Sequence, residues 1–349
     1  MNSSERLDAL LCGKPIDRVP FFSFALGFCA RNVGLPVASV YRDPTKSFWA
    51  QVWTREQYGY DSGPFYAYAS YGGWEFGGEL KFPEGQYEQA PSLGRLAVQS
   101  EEEVWELELP DVRKAGSLPL AMEFSKLQEA HGFPVSLVLG GPFTIAGNIC
   151  GAGVLCRWLI RNTEVACQLL RLAMDHILDV VRHWVDTFGP RRVALQIWEP
   201  LTSNQVISPR QFSKYVLPYE KELYDRLSAI RVKYVLSHLC GEQNLNLPYW
   251  AEVPLGDPAI VSFGREVDLA DAVRYFGDKY VIAGNVGTSV MQNGARRELY
   301  EVCRQCVEKA KHAPRGYILM PGCEVPVMTP SHNLYVMRKA VDDWGWYER

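Results

Sequence analysis

The sequence carries almost no net charge for its size, −4 over 349 residues. That excludes the broad cationic face that selects nucleic acid. It has no cysteine framework either. Its nine cysteines are odd in number and scattered, which excludes a disulfide-built scaffold. Met1 to Pro20 lacks the apolar core of a signal peptide, so the thiols are expected to be free or metal-bound in a reducing cytoplasm. Internal repeats and low-complexity linkers are also missing. One uncharged run, Pro134 to Cys156, is long enough to raise a membrane question. Gly140-Gly141-Pro142, Gly147-Asn148 and Gly151 break it, so a buried strand, a turn and a helix start are expected, with no membrane role.

What is present is ordinary globular material, 47% hydrophobic and 22% charged, with ample residues for a core. A helix is expected from Ser3 to Leu11, a first strand over Val19–Leu26 and a helix over Pro44–Tyr58. Tyr66, Tyr68, Trp74, Phe76, Leu80 and Phe82 alternate about Gly72-Gly73, which predicts a β-hairpin over Asp61–Phe82. From Val135 onward strands and helices alternate, as parallel βαβ units require. Helices are expected over Thr163–Phe188, from Ser208-Pro209 to Ile230 with a kink at Pro218, from Asp268 to Phe276, over Ala295–Lys311, and over Ser331–Val341. Roughly eight strands can be counted, so the predicted fold class is α/β: a (β/α)₈ TIM barrel over residues 1–349 as one domain, with N-terminal helical and β-hairpin additions in residues 1–130.

In such a barrel chemistry sits at the C-terminal ends of the strands. The apolar run Tyr234 to Leu239 ends in Cys240-Gly241, and His238 and Cys240 are two apart, so they leave one face of a strand together. Cys323 ends a second apolar strand, Tyr317 to Pro321. One histidine and two thiolates with an open fourth position is the pattern of a catalytic Zn²⁺; the alternative is that all three are core. Glu199 and Asn285 fall at two further strand ends and are candidate catalytic residues. For Glu199 three roles stay open: a reversible fourth ligand, a hydrogen-bonding partner for substrate, or a strand-end cap. Cys303 and Cys306 continue the Leu299, Val302, Val307 helix face and read as core. His176 and His183 read as surface or groove residues. His332 opens the last helix and could also reach the site.

Several motifs carry a resemblance over nearly the whole chain: Ile207-Ser208-Pro209-Arg210-Gln211-Phe212 with Leu217-Pro218-Tyr219, Gly284-Asn285-Val286, and Gly322-Cys323-Glu324-Val325-Pro326 with Thr329-Pro330. Together they resemble the uroporphyrinogen decarboxylase superfamily. His238-Leu239-Cys240 with distant Cys323 is similar to the zinc motif of its cobamide-dependent methyltransferase branch. The resemblance implies a (β/α)₈ barrel, His238, Cys240 and Cys323 as metal ligands, and methyl transfer to or from a cobalamin carried by a separate corrinoid protein. The decarboxylase itself fits poorly. It uses an Arg-rich N-terminal segment for substrate carboxylates, and Pro20 to Phe28 offers no cation before Arg31. The chain also lacks an Asp-x-His-x-x-Gly segment, which the family's carrier proteins use to ligate cobalt, so it is expected to bind no corrinoid tightly alone.

Within that branch the methyl group could come from an O-methylated aromatic, pass from methylcobalamin to a thiol such as coenzyme M, or come from another small methyl donor. Rivals are a metal-free decarboxylase and a corrinoid-binding accessory protein. Eighteen of the 43 aromatic residues lie between Phe21 and Tyr87, an excess that suits an aromatic pocket wall and so favours the methoxylated aromatic. Phe24, Tyr66, Tyr68 and Trp74 are the expected substrate-binding residues.

Overall fold

The computed structural model describes residues 1–85 and 87–348. Two short strands, β1 (Leu80–Lys81) and β2 (Ser92–Leu93), pair antiparallel. Six parallel strands follow in sequential order: β3 (Val135–Gly140), β4 (Val193–Trp198), β5 (Tyr234–Leu239), β6 (Ala259–Phe263), β7 (Val281–Val286) and β8 (Tyr317–Pro321). Every residue of β5, β6, β7 and β8 is buried, as expected of strands covered on both faces. The helix Thr163–Phe188 buries Leu169, Leu170, Ala173, Ile177, Val180, Val181 and Trp184 along one face and packs on β3 and β4. The helix after Ser208 is broken as Pro218 requires. It widens into a π-type turn over Phe212–Val216 before Leu217–Ile230 resumes, because proline cannot donate a hydrogen bond.

Six strands do not close a ring; two non-strand segments supply the missing staves. Val19–Leu26 is not the regular strand expected. Leu319 N donates to Pro20 O at 3.0 Å and Phe22 N to Leu319 O at 2.9 Å, and Phe21 bridges Leu319 in parallel. Pro20 has no N–H, so a longer ladder is not available there. On the other side Tyr66 bridges Leu137 in β3. Between the two segments Asp61 N donates to Phe21 O at 2.6 Å, and Ser62 Oγ accepts from Ser23 N at 3.0 Å. The arrangement is a (β/α)₈-type barrel whose seam is made from irregular chain.

That seam is locked by charge. The Asp61 carboxylate accepts from Arg6 Nη1 at 2.7 Å, from Arg18 Nη1 at 2.9 Å and from the Phe21 N–H at 2.9 Å. Its side chain is 1% exposed and both arginine side chains are 5% exposed. Three buried charges with satisfied hydrogen bonds hold the N-terminal helix Ser3–Leu11 and the segment 18–24 against the same point.

Two further expectations are corrected. The hairpin does not form around Gly72-Gly73; the β-pair lies one stretch later, at β1 and β2. The two glycines are there for close approach. A Cβ on Gly72, which has φ +98°, would meet Ile145 at 2.7 Å, and one on Gly73 would meet Leu93 at 2.3 Å. His176 is not a surface residue: it is 1% exposed, bonded to Tyr71 Oη at 2.9 Å, and burial drives its pKa down to about 4. Cys303 and Cys306 are buried, as the helix face implied. Among the described residues no single helix is long and apolar enough to cross a membrane. The helices Pro142–Cys150 and Ala152–Arg161 pass by length and composition together, but they are bent by 103°.

Removing the lock leaves Arg18 buried without an anion and Arg6 with Asp17 as its one remaining carboxylate partner among the described residues. Asp61→Ala is expected to destabilise the fold by ~3–5 kcal/mol, and Asp61→Asn by less, as read from denaturant midpoints. An Asp61→Ala midpoint equal to the wild type would show that the seam does not depend on this carboxylate.

Candidate functional site

On β5 the alternation that buries the strand also aims Tyr234, Leu236 and His238 into the barrel, where they line one cavity of about 410 Å³. Gln196 and Trp198 of β4, Ser136 of β3 and Met320 of β8 line it too. His238 and Trp198 are register partners, as are His238 and Ser262. Ser262 Oγ lies 2.7 Å from His238 Nδ1 and fixes the ring, leaving Nε2 buried without a hydrogen-bond partner. Cys240 continues the same face past the end of β5, and Gly241, with φ +76°, turns the chain away. Cys323 arrives from the end of β8. Its Sγ accepts from Cys240 Sγ at 3.6 Å, and the donor atoms of His238, Cys240 and Cys323 all lie within 4.8 Å of one another.

The structure therefore brings together residues that are 83 positions apart in the chain. Two sulfurs bound at about 2.3 Å to one tetrahedral ion stand about 3.8 Å apart, close to the separation seen, and the orphaned Nε2 supplies a third donor. The electrostatics agree: the Cys323 thiol is pulled well below its ordinary range by the hydrogen bond from Cys240, with the His238 imidazole beside it, while Cys240 is pushed up. A donor set with one thiolate already favoured, a second thiol in contact and one imidazole fits a borderline-soft cation with a position left open.

Of the other expected site residues, Phe24 reaches this place. Its ring meets His238 edge-on at 5.3 Å and Trp198 at 4.7 Å. Tyr66, Tyr68 and Trp74 do not line the cavity. Both tyrosine hydroxyls donate to Tyr41 O, Tyr66 packs on Phe124 at 5.3 Å, and Tyr68 packs on Trp74 at 6.2 Å, so these three belong to the core of the N-terminal layer. Asn285 turns outward. Its amide donates to Gly264 O and Val267 O, and its Oδ1 accepts from Cys306 on the helix Arg296–Ala310.

Glu199 has the contacts of a cap. It is fully buried; Phe143 N donates to it at 3.0 Å and Thr144 Oγ1 at 2.7 Å, at the start of the helix Pro142–Cys150. A Cβ on Gly141 would lie 2.1 Å from its Oε1, so glycine there makes room for the carboxylate. Its own N–H donates to His238 O at 3.1 Å, tying the cap to the backbone of β5. Burial raises its pKa to about 7, and the equally buried Glu220 beside it is pushed up further. The inward residues Trp198, Gln196, Ser136 and Met320 were not anticipated. Stepping back by two from His238 and across the parallel register would have found Trp198 and Gln196.

Residues 2–344 match the family model described as uroporphyrinogen decarboxylase (URO-D). The chain belongs to the uroporphyrinogen decarboxylase family. A methylcobamide:CoM methyltransferase, MtbA, of Methanosarcina acetivorans is 26% identical over 265 residues, covering 75% of this chain and 74% of that protein. A methylated-thiol–coenzyme M methyltransferase of Methanosarcina mazei is 24% identical over 261 residues, 71% of this chain and 63% of that one. A solved methyltransferase from Methanosarcina mazei superposes with a TM-score of 0.83 at 21% identity, over 98% of this chain and 99% of that chain, and shares the fold. Within the family the chain is an enzyme of the methyltransferase kind.

The buried carboxyl pair makes a prediction about stability. Glu199 binds its proton more tightly folded than unfolded, so the folded state is favoured at low pH. That advantage is lost as pH rises from about 4.5 toward about 7. Stability should fall across this window, and Glu220→Gln, which keeps a donor for Glu199 and removes the second raised carboxyl, should flatten the fall. Denaturant midpoints at a series of pH values test this; equal slopes in the two proteins would contradict it.

Proposed function

We propose that this enzyme is a zinc-dependent methyltransferase that takes a methyl group from a methoxylated aromatic and passes it to the cob(I)alamin of a separate corrinoid protein. The observation that carries this reading is the His238, Cys240, Cys323 cluster at the head of a cavity walled by Phe22, Phe24, Phe65 and Trp198. Its volume lies in the range of small-molecule sites. Aryl methyl ethers react slowly because phenolate leaves poorly. Zinc bound there supplies a Lewis acid for the departing oxygen. The chain's own residues do the rest. Ser262 holds the imidazole so that Nε2 faces the thiols. Phe24 and Trp198 pack on that imidazole and keep water from it. In the balanced step the methyl carbon would take an electron pair from the reduced corrinoid of the partner protein. The carbon–oxygen bond breaks with its pair on the aryl oxygen, and the phenolate is released to take a proton from solvent.

A second reading is supported by the names of the relatives, which transfer methyl from methylcobamide to CoM or act on methylated thiols. It would make a thiol the acceptor at the same ligands. CoM carries a sulfonate, and among the described residues lining the cavity the one cation is Arg55, which sits over Phe133 and donates to Ser62 O. The aromatic walls therefore favour the neutral methoxyarene at the metal end.

Incubation with a reduced corrinoid protein and a panel of methoxyarenes is expected to give methylcobalamin and the matching phenol, and chelation should abolish it. Methyl exchange with thiols alone would transfer the assignment to the second reading; exchange with neither would remove both. On the metal, Cys240→Ser should lose stoichiometric zinc, and Ser262→Ala should weaken zinc affinity by roughly 10–100-fold while leaving the fold intact. Full zinc content in Cys240→Ser would refute the ligand set.

A further inference from the structure

The cavity does not stop at the metal ligands. Tyr234, Leu236 and His238 line it along β5, a path of about 13 Å at 3.3 Å per residue, so it runs down the barrel axis and not across the rim. Ser136, the second residue of β3, lines its lower part. Its far end is bounded by Asn2, Ser3, Ser4 and Leu7 of the N-terminal segment and by Gly132, Phe133 and Pro134, which lead into β3. Asn2, Ser4, Gly63 and Gly132 there are exposed. A second groove, of about 290 Å³, shares Ser4, Gly132, Phe133 and Pro134 with the cavity and continues outward past Arg191, Arg192 and Lys233. The two together make a continuous lining from the surface at the N-terminal face to His238.

The metal cluster itself has two sides. His238 is 2% exposed and belongs to the cavity, whereas Cys240 and Cys323 are half-buried at the ends of their strands. A bulky corrinoid protein that reaches the thiols at the C-terminal rim would cover that rim, and a small substrate arriving by the same route would have to leave before it docked.

We propose that the small methyl substrate enters this enzyme from the N-terminal face of the barrel and lies in the axial cavity beneath His238, leaving the C-terminal rim to the corrinoid protein. The inference rests on the methyl-transfer reading above for the identity of the substrate, but the passage is a property of the chain alone. The walls define the class it admits: flat, aromatic and neutral, or carrying a single anionic group. Phe22, Phe65 and Phe133 supply apolar surface, Ser136 and Gln196 supply hydrogen-bonding groups, and Arg55 at the mouth donates to a backbone carbonyl and has no carboxylate partner among the described residues. In the outer groove Lys233 is paired with Asp8 and Arg192 with Glu129, while Arg191 has no carboxylate partner among the described residues. A methoxybenzoate, with its carboxylate trailing toward the mouth, matches that order.

Two measurements test it. Ser136→Cys places a thiol on the cavity wall; its modification by N-ethylmaleimide, followed by peptide mass, should slow at least 10-fold when Gly63→Trp or Ser4→Trp is added at the mouth. An unchanged rate in both, or no modification of Cys at 136 in any background, overturns the passage. In the zinc-loaded enzyme the same two tryptophan variants should lower kcat/KM for methoxybenzoates at least 10-fold, more for bulkier rings, with zinc content and corrinoid-protein affinity unchanged; equal kcat/KM across the series overturns the proposal. If the wild type transfers no methyl group from any methoxyarene, the functional reading fails, and the maleimide rates still decide the passage.

Discussion

The barrel depends on one carboxylate. Asp61 is the point where the helix Ser3–Leu11, the segment 18–24 and the segment 61–66 meet, through Arg6, Arg18 and the Phe21 N–H. Regular strand pairing cannot join these pieces, because Pro20 removes a donor and the ladder there is down to single bridges. Buried ion pairs are a poor source of net stability in general, since desolvation offsets most of the attraction. Their value here is positional: an anion with two fixed guanidinium groups accepts only one arrangement of the three segments. That arrangement places Phe24 against His238 and sets Ser62 and Arg55 beside the cavity.

The same N-terminal chain also governs the loop that carries Cys323. Val325 N donates to Phe24 O at 2.7 Å, and Gly27 N donates to the Glu324 carboxylate at 3.2 Å. Gln89 grips the loop with both ends of its amide, donating to Val325 O and accepting from Val327 N. Arg31, the first cation after Pro20, donates to Val327 O and is occupied in the same task. One thiol of the cluster is thus positioned from the N-terminal layer and the other from β5, so the geometry of the three donors and the closure of the barrel are parts of one structure. Glu324, next to Cys323 in the chain, is raised to about 7 by burial and accepts from Tyr41 Oη at 3.4 Å.

The sequence made some of this legible and hid the rest for physical reasons. Alternation and strand-end punctuation are local, so His238, Cys240 and Cys323 could be read as candidates without knowing the fold. Their meeting could not be read from the residues alone, because it depends on the parallel register of β5 and β8 around a ring. The aromatic stretch misled because alternation has two causes. Tyr66 and Tyr68 alternate to reach Tyr41 O and Phe124, and Gly72-Gly73 sit where the chain grazes Ile145 and Leu93, so a core layer imitated a hairpin. His176 was misplaced because a neutral imidazole with one partner packs as well as any aromatic. Asn285 stands at a strand end, yet its amide serves the backbone of the β6 turn. Strand-end position is therefore a useful signal for a site residue and an insufficient one.

Glu199 shows how a buried charge can matter without touching substrate. Its carboxylate is committed to the start of the helix Pro142–Cys150, and Gly141 is small so that it fits. The peptide N–H of the same residue holds His238 O. Any movement of the carboxylate must pull on β5 at the histidine that faces both the thiols and the cavity. With the equally buried Glu220 against it, both carboxyls are pushed up, and a shared proton is the arrangement that keeps both side chains in place. A cap of this kind ties His238 to the start of the helix Pro142–Cys150 by a short chain of hydrogen bonds. That is the condition for an imidazole to keep its aim.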